Sequence, residues 1–301
     1  MIQAREPISY VGRFAPSPTG PLHFGSLVAA VASFLQARAN NGRWLLRVED
    51  IDPPREQVGA TASIIEALER YGFEWDGDTI FQSTSREAHE AALATLIESK
   101  MAYPCRCSRK DLAGAPRGLL GVIYPGSCRN GCSQGEAAIR VRTNDVEIAF
   151  DDVLHGCIAQ RLESESGDFV VRRRDGLIAY HLAVVVDDEI QGVTEIVRGI
   201  DLLDSTPRQI WLQQLLEFRT PNYIHIPVIT NSNGDKLSKL TGALGVPLDS
   251  VENTLHEALT ALLQQPPPEL ATGALSDIWT WASENWQLGN LAGHRTIVKT
   301  A

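Results

Sequence analysis

Apolar positions change their spacing repeatedly along the first fifty residues. Tyr10, Val11 and Phe14 form a short apolar run that breaks on Pro16, Pro18, Gly20 and Pro21. From Leu22 onward Leu27, Val31, Phe34 and Leu35 recur at helical spacing until Asn40-Asn41-Gly42. Residues 44–48 return to a strand pattern, closed by Glu49-Asp50-Ile51-Asp52-Pro53. The pattern therefore predicts strand, stiff turn, helix, strand. Amphipathic helices are predicted over 61–71, closed by Gly72, and from a Ser85 cap to Lys100. Residues 137–150 alternate through Ile139, Val141, Val146 and Ile148 and predict strands, and 151–167 predicts loops between short strands, with Cys157 in the core. The apolar run 178–188, ending in Asp187-Asp188, predicts a buried parallel strand. Ser205-Thr206-Pro207 opens another helix, and 224–229 forms a further strand. The last sixty or so residues read as short helices around Trp279, Trp281 and Trp286.

A strand that feeds a helix through a Pro/Gly turn is phosphate-binding geometry, because free N–H groups at the helix start face an anion. His23 and Gly25 fall in the first helical turn: the glycine admits a close ligand and the imidazole can donate to a phosphate oxygen. Glu49 ends its strand on the side where open α/β sheets bind ligands, a suitable place to meet an ammonium group. Lys236 and Lys239 flank Ser238 in a polar loop, where two cations suit a transient charge such as a departing pyrophosphate. Four of the five cysteines, Cys105, Cys107, Cys128 and Cys132, lie close together in sequence. That clustering suits a tetrahedral metal site in a reducing compartment, and thiolate chemistry alone would choose all four.

Composition narrows the classes. A net charge of −10 argues against broad, sequence-independent nucleic-acid binding, although Arg172-Arg173-Arg174 is a local basic patch. No run of about 18 apolar residues is present, so no membrane span is expected. The N-terminus MIQAREPISY has no apolar signal core, which makes a cytoplasmic location the expectation.

The pairing of LHFGS with Lys236-Leu237-Ser238-Lys239 resembles the two signatures of the class I aminoacyl-tRNA synthetases, and the flank GRFAPSPTG is similar to their glutamyl branch. The resemblance runs from about residue 10 to 240. It implies an α/β fold with a Rossmann-type parallel sheet, an inserted zinc-containing domain like those that grip a tRNA acceptor end, and a short helical tail. The expected boundaries are 1–100 and 176–245 for the two halves of the catalytic domain, 101–175 for the insertion and 246–301 for the tail. Two positions depart from the signatures: Ser26 replaces the second histidine and Leu240 the final serine.

The resemblance also implies site roles. Arg13, Phe14, Ala15, Pro16, Ser17, Glu49, Tyr180 and Arg198 would surround L-glutamate, with Arg13 and Arg198 as candidates for its two carboxylates. His23, Gly25, Ser26 and Lys239 would hold ATP with Mg2+, and His23, Lys236 and Lys239 would be catalytic. The family's metal pattern falls on Cys105, Cys107, Tyr124 and Cys128 and leaves Cys132 spare, so the fourth ligand is open between Tyr124 and Cys132. Asp187-Asp188 is a candidate for positioning the ribose or the helix that follows. Too few residues follow Lys239 for an anticodon-binding region, which narrows the resemblance to truncated paralogues of glutamyl-tRNA synthetase. These imply tRNA-independent activation of glutamate and its transfer to the queuosine base of tRNA(Asp), by a monomer. A short glutamyl-tRNA synthetase charging a tRNA 3′ end, or a catalytically inactive tRNA-binding module, would carry much of the same pattern.

Overall fold

The computed structural model describes residues 9–118, 121–231, 234 and 244–299. In chain order it runs β1 (Val11–Phe14), α1 (Phe24–Ala39), β2 (Arg43–Val48), α2 (Ala60–Arg70), β3 (Ile80–Phe81), α3 (Arg86–Glu98) and β4 (Ala102–Cys105). The short β5 (Arg117–Gly118) and β6 (Gly121–Val122) follow, then β7 (Ala138–Val141), β8 (Glu147–Asp152), β9 (Gly156–Arg161), α4 (Leu162–Glu165) and β10 (Phe169–Arg172). The second half comprises α5 (Tyr180–Ile190), β11 (Glu195–Gly199), α6 (Thr206–Leu215), β12 (Asn222–Ile226), β13 (Val228–Thr230), α7 (Val251–Ala261), α8 (Leu275–Asn285) and β14 (Thr296–Val298).

β1 pairs parallel with β2, Val11 opposite Arg43 through Phe14 opposite Leu46, and β2 pairs parallel with β3. β11 and β12 form a second parallel pair. Thr194 joins the two halves: its N–H donates to the Val11 carbonyl at 2.9 Å, and its hydroxyl accepts from the Val11 N–H at 2.9 Å. The resulting order β3-β2-β1-β11-β12 places the switch in strand direction of travel between β1 and β11, where open α/β sheets bind ligands. On the far edge the hairpin β8–β9 meets β12 at Tyr223 opposite Asp152. β4, β7 and β10 make a separate antiparallel sheet.

The expected strand over 178–188 is a helix, α5. Leu182, Ala183, Val184, Val185, Val186, Asp187 and Asp188 are all buried in it, so it has no polar face across that stretch to mark its period. The expected loop at 151–152 is the end of strand β8, and Cys157, expected in the core, is exposed on β9. The first helix begins at Phe24, two residues later than the Leu22 pattern suggested, with His23 as its cap. The third helix stops at Glu98, before Lys100, and Ser85 sits at its cap position without a side-chain bond.

The C-terminal segment joins the nucleotide-fold core. Leu255, Leu259, Ile278 and Leu291 are buried in the same cluster as Leu27 and Trp44. β14 pairs parallel with β13, Val228 opposite Thr296 through Thr230 opposite Val298. None of the described helices is long and apolar enough to cross a membrane.

Candidate active site

The turn after β1, the start of α1 and the carboxyl ends of β2 and β11 enclose a cavity of about 580 Å³. Arg13, Phe14, Ala15, Pro16 and Ser17 line it from β1 and the turn. His23, Gly25 and Ser26 line it from the helix start, and Glu49, Tyr180 and Arg198 close it. All the described residues expected around glutamate and ATP are thus in one cavity. Lys236 and Lys239 lie outside the described residues. Gly245, just beyond that segment, forms an antiparallel bridge to His23.

His23 acts as the N-cap of α1, its Nδ1 accepting from the Ser26 N–H at 3.2 Å. Its Nε2 lies 3.0 Å from Ser26 Oγ. The residue in the place of the family's second histidine is therefore in contact with the first. The helix start still favours an anion through its dipole and its early N–H groups.

Beneath the cavity lies a buried ion network that the sequence reading missed. Asp188 accepts from Arg13 Nε at 3.1 Å and from Arg47 Nη1 at 2.8 Å. Arg47 Nη2 stands 3.5 Å from Glu49 Oε1. Burial pushes the Glu49 carboxyl up against the opposing pull of Arg47 and Arg13. Burial pushes Asp188 up as well, but the two guanidiniums outweigh it and hold the group below the usual carboxylate range. Asp187 faces the other way, accepting from Gln82 Nε2 at 2.7 Å and pairing with His89 at 2.9 Å. The acidic pair therefore does not position a ribose; both carboxylates are committed inside the protein.

Arg198 is 5% exposed and held from the side of β12. Its Nε donates to His225 Nε2 at 3.1 Å and its Nη2 to Thr206 Oγ1 at 2.8 Å. Thr206, expected as part of a helix-capping unit, serves as an anchor for this arginine instead. Arg47 and His225 did leave a trace in the sequence: each is a lone polar residue within an apolar strand, which demands a buried partner.

A second cluster lies in the segment after α3. The Sγ atoms of Cys105, Cys107 and Cys128 are all within 4.8 Å of one another, and Cys107 and Cys128 are 3.6 Å apart. Tyr124 Oη is 3.3 Å from Cys105 Sγ and 3.6 Å from Cys107 Sγ. Four ligands around a tetrahedral ion at zinc–sulfur and zinc–oxygen bond lengths would be separated by about 3.5–3.8 Å. The three closest separations, 3.3, 3.6 and 3.6 Å, lie near that spacing, so the cluster could hold such an ion. Cys132 Sγ points instead to the Pro104 carbonyl at 3.5 Å. Burial pushes the Cys128 thiol up, yet hydrogen bonds from Tyr124 and the backbone bring it down to about 7. Arg140 adds a cation, its Nε 3.3 Å from Cys105 Sγ. A cation beside three thiols suits a site that carries negative charge when they ionise.

The catalytic-domain model for class I tRNA synthetases (E and Q) matches residues 10–118 and 124–264. A glutamyl-Q tRNA(Asp) synthetase from Thiobacillus denitrificans is 53% identical over 298 residues, 98% of this chain and 99% of that protein. One from Ectopseudomonas mendocina is 50% identical over 97% of this chain and 98% of its own length. The fold is shared with a glutamate–tRNA synthetase structure from Elizabethkingia anophelis, at a TM-score of 0.80 and 22% identity over 97% of this chain and 68% of that one. The chain belongs to the glutamyl-Q tRNA(Asp) synthetase family of class I tRNA synthetases, which are ATP-dependent ligases.

Proposed function

We propose that this protein activates L-glutamate with ATP in the absence of tRNA and transfers the glutamyl group to the queuosine base in the anticodon loop of tRNA(Asp). The observation that carries the first step is the convergence of Arg13, Glu49, Tyr180 and Arg198 with the start of α1 in one cavity. The acceptor rests on relatives of that name at 50–53% identity over nearly the whole chain.

Two cations and one anion match the charges of glutamate. Arg198 and Arg13 each face one carboxylate, and Glu49 faces the ammonium group. Arg13 has Nε and one N–H of Nη2 committed to Asp188, so Nη1 and the second N–H of Nη2 are the donors it offers. A carboxylate oxygen of glutamate attacks the α-phosphorus of ATP, and pyrophosphate leaves with its electron pair. The start of α1 and His23 stabilise the phosphates, Mg2+ accompanies the nucleotide, and Lys236 and Lys239 meet the leaving group. A hydroxyl of the queuosine base then attacks the mixed anhydride, forming an ester and releasing AMP. Positioning and preorganised charge carry such a reaction. The cysteine cluster takes a structural zinc through Cys105, Cys107, Tyr124 and Cys128, since it lies outside the cavity and shares no residue with it.

The test is ATP–pyrophosphate exchange with glutamate, glutamine or aspartate and no tRNA, followed by charging of queuosine-containing and queuosine-free tRNA(Asp). Exchange with glutamate alone, and charging only of the queuosine-containing tRNA, is the expected result. Charging of a tRNA 3′ end would make it a short glutamyl-tRNA synthetase. Absence of exchange with and without tRNA would leave a binding module.

A further inference from the structure

Arg198 differs from Arg13 in what holds it. Arg13 is tied to a carboxylate, whereas the acceptor facing Arg198 Nε is an imidazole nitrogen, Nε2 of His225 at 3.1 Å. His225 is fully buried, and its Nδ1 lies 2.7 Å from Asp152 Oδ2. The same carboxylate oxygen accepts the His225 backbone N–H at 3.0 Å. Asp152 Oδ1 accepts from the Leu154 and His155 N–H groups at 3.0 Å each. Carboxylate, ring and guanidinium thus form a continuous buried chain from the end of β8, through β12, to β11. Arg198 Nη1 ends that chain, buried and without a hydrogen-bond partner among the described residues, in an arginine that lines the cavity.

We propose that Asp152 and His225 are positioning residues that fix Arg198 for a substrate carboxylate while leaving its positive charge undiminished. Asp152 fixes the proton on Nδ1, so Nε2 is an acceptor, which is what the Arg198 Nε–H requires. A carboxylate placed directly on Arg198 would satisfy the same N–H but would compete with the substrate for the charge. A neutral ring orients the guanidinium without that competition, and Thr206 Oγ1 at 2.8 Å holds the other edge. The arrangement also makes the hairpin β8–β9, distant in sequence from both signatures, part of the support of the amino-acid pocket.

This inference deepens the glutamate-activation reading and rests on it for the identity of the ligand. Its test is a double-mutant cycle on glutamate binding to the whole chain, read by calorimetry. Asp152→Asn keeps an oxygen for the Leu154 and His155 N–H groups but offers no acceptor to the His225 ring. It is expected to weaken glutamate at least tenfold and ATP less than twofold. In an Arg198→Ala background the same change should weaken glutamate less than twofold further, because the relay then has nothing to orient. Equal losses in both backgrounds would make the pair merely structural and overturn the proposal. His225→Gln, whose amide oxygen can replace Nε2, should retain affinity better than His225→Phe; equal losses for the two would likewise count against it. Nitrogen-15 NMR of the His225 ring judges the relay independently of the substrate. A proton on Nδ1 with Nε2 bare is expected, and a proton on Nε2 overturns the proposal. Failure of the wild-type chain to bind glutamate, with the expected tautomer present, would count against the functional reading alone.

Discussion

Arg47 donates through Nη1 to Oδ1 of Asp188 at 2.8 Å, an ion pair buried beneath the cavity and spanning the two halves of the fold. Arg47 comes from β2 and Asp188 from α5, so the pair exists only once both have docked. Arg13 shares the same carboxylate. Two guanidiniums on this carboxylate leave one positive charge over, which faces Glu49 through Arg47 Nη2 at 3.5 Å.

Removing Asp188 strands two buried cations. Asp188→Ala is expected to lower unfolding stability by about 3–5 kcal/mol, as when one partner of a buried pair is deleted. Urea unfolding of the variant measures this. A loss below about 1 kcal/mol would mean that water reaches and solvates the arginines.

Arg198→Ala removes a charged donor from the proposed glutamate site. A hydrogen bond to a charged group is worth about 1.5–3 kcal/mol, so the KM for glutamate should rise roughly 10- to 150-fold. The KM for ATP should change little. Steady-state pyrophosphate exchange separates the two, and an unchanged glutamate KM would remove Arg198 from the pocket.

The cysteine cluster predicts one zinc per chain by elemental analysis. Cys128→Ser should lose the metal and Cys132→Ser should keep it, since Cys132 Sγ faces the Pro104 carbonyl rather than the other thiols. Tyr124→Phe should weaken retention against a chelator. Loss of zinc from Cys132→Ser, with retention in Tyr124→Phe, would exchange the fourth ligand.

Stability should fall with acid in a defined window. Burial holds His225 down to about 4 and His181 down to about 3, against about 6.5 in an unfolded chain. Between those values the unfolded chain binds protons that the folded one refuses, so stability rises with pH through roughly 4 to 6.5. Each ring contributes on the order of 2–3 kcal/mol between pH 7 and pH 4.5. Glu49, pushed up by burial, acts with the opposite sign and blunts the slope. Urea midpoints across that range test this: His225→Phe should flatten the dependence, and an unchanged slope would show that the ring is not neutral in the fold.

The sequence by itself determined what can be read locally. The Pro/Gly turn between Phe14 and Phe24 specified a strand–turn–helix, because those residues restrict the backbone whatever surrounds them. The dense motif around it carried the family, and with it the cavity residues from Arg13 to Ser26, Glu49, Tyr180 and Arg198. The clustering of Cys105, Cys107, Cys128 and Cys132 was enough to expect a metal site.

Tertiary structure decided what depends on partners distant in sequence. The apolar run expected as a strand lies in the helix Tyr180–Ile190, whose residues 182–188 are all buried, which erases the polar stripe that reveals helical period. The contrast between Tyr124 and Cys132 comes from how the chain folds back between β4 and the loop that follows, which brings the Tyr124 oxygen next to the thiols and turns the Cys132 sulfur toward the Pro104 carbonyl. The roles of Arg47, Asp188, Asp152 and His225 were hidden for the same reason. A buried charge is tolerated only with its partner in place, and here the partners lie 73 and 141 residues apart, a separation that only the strands and the docked helix α5 bring to hydrogen-bond distance.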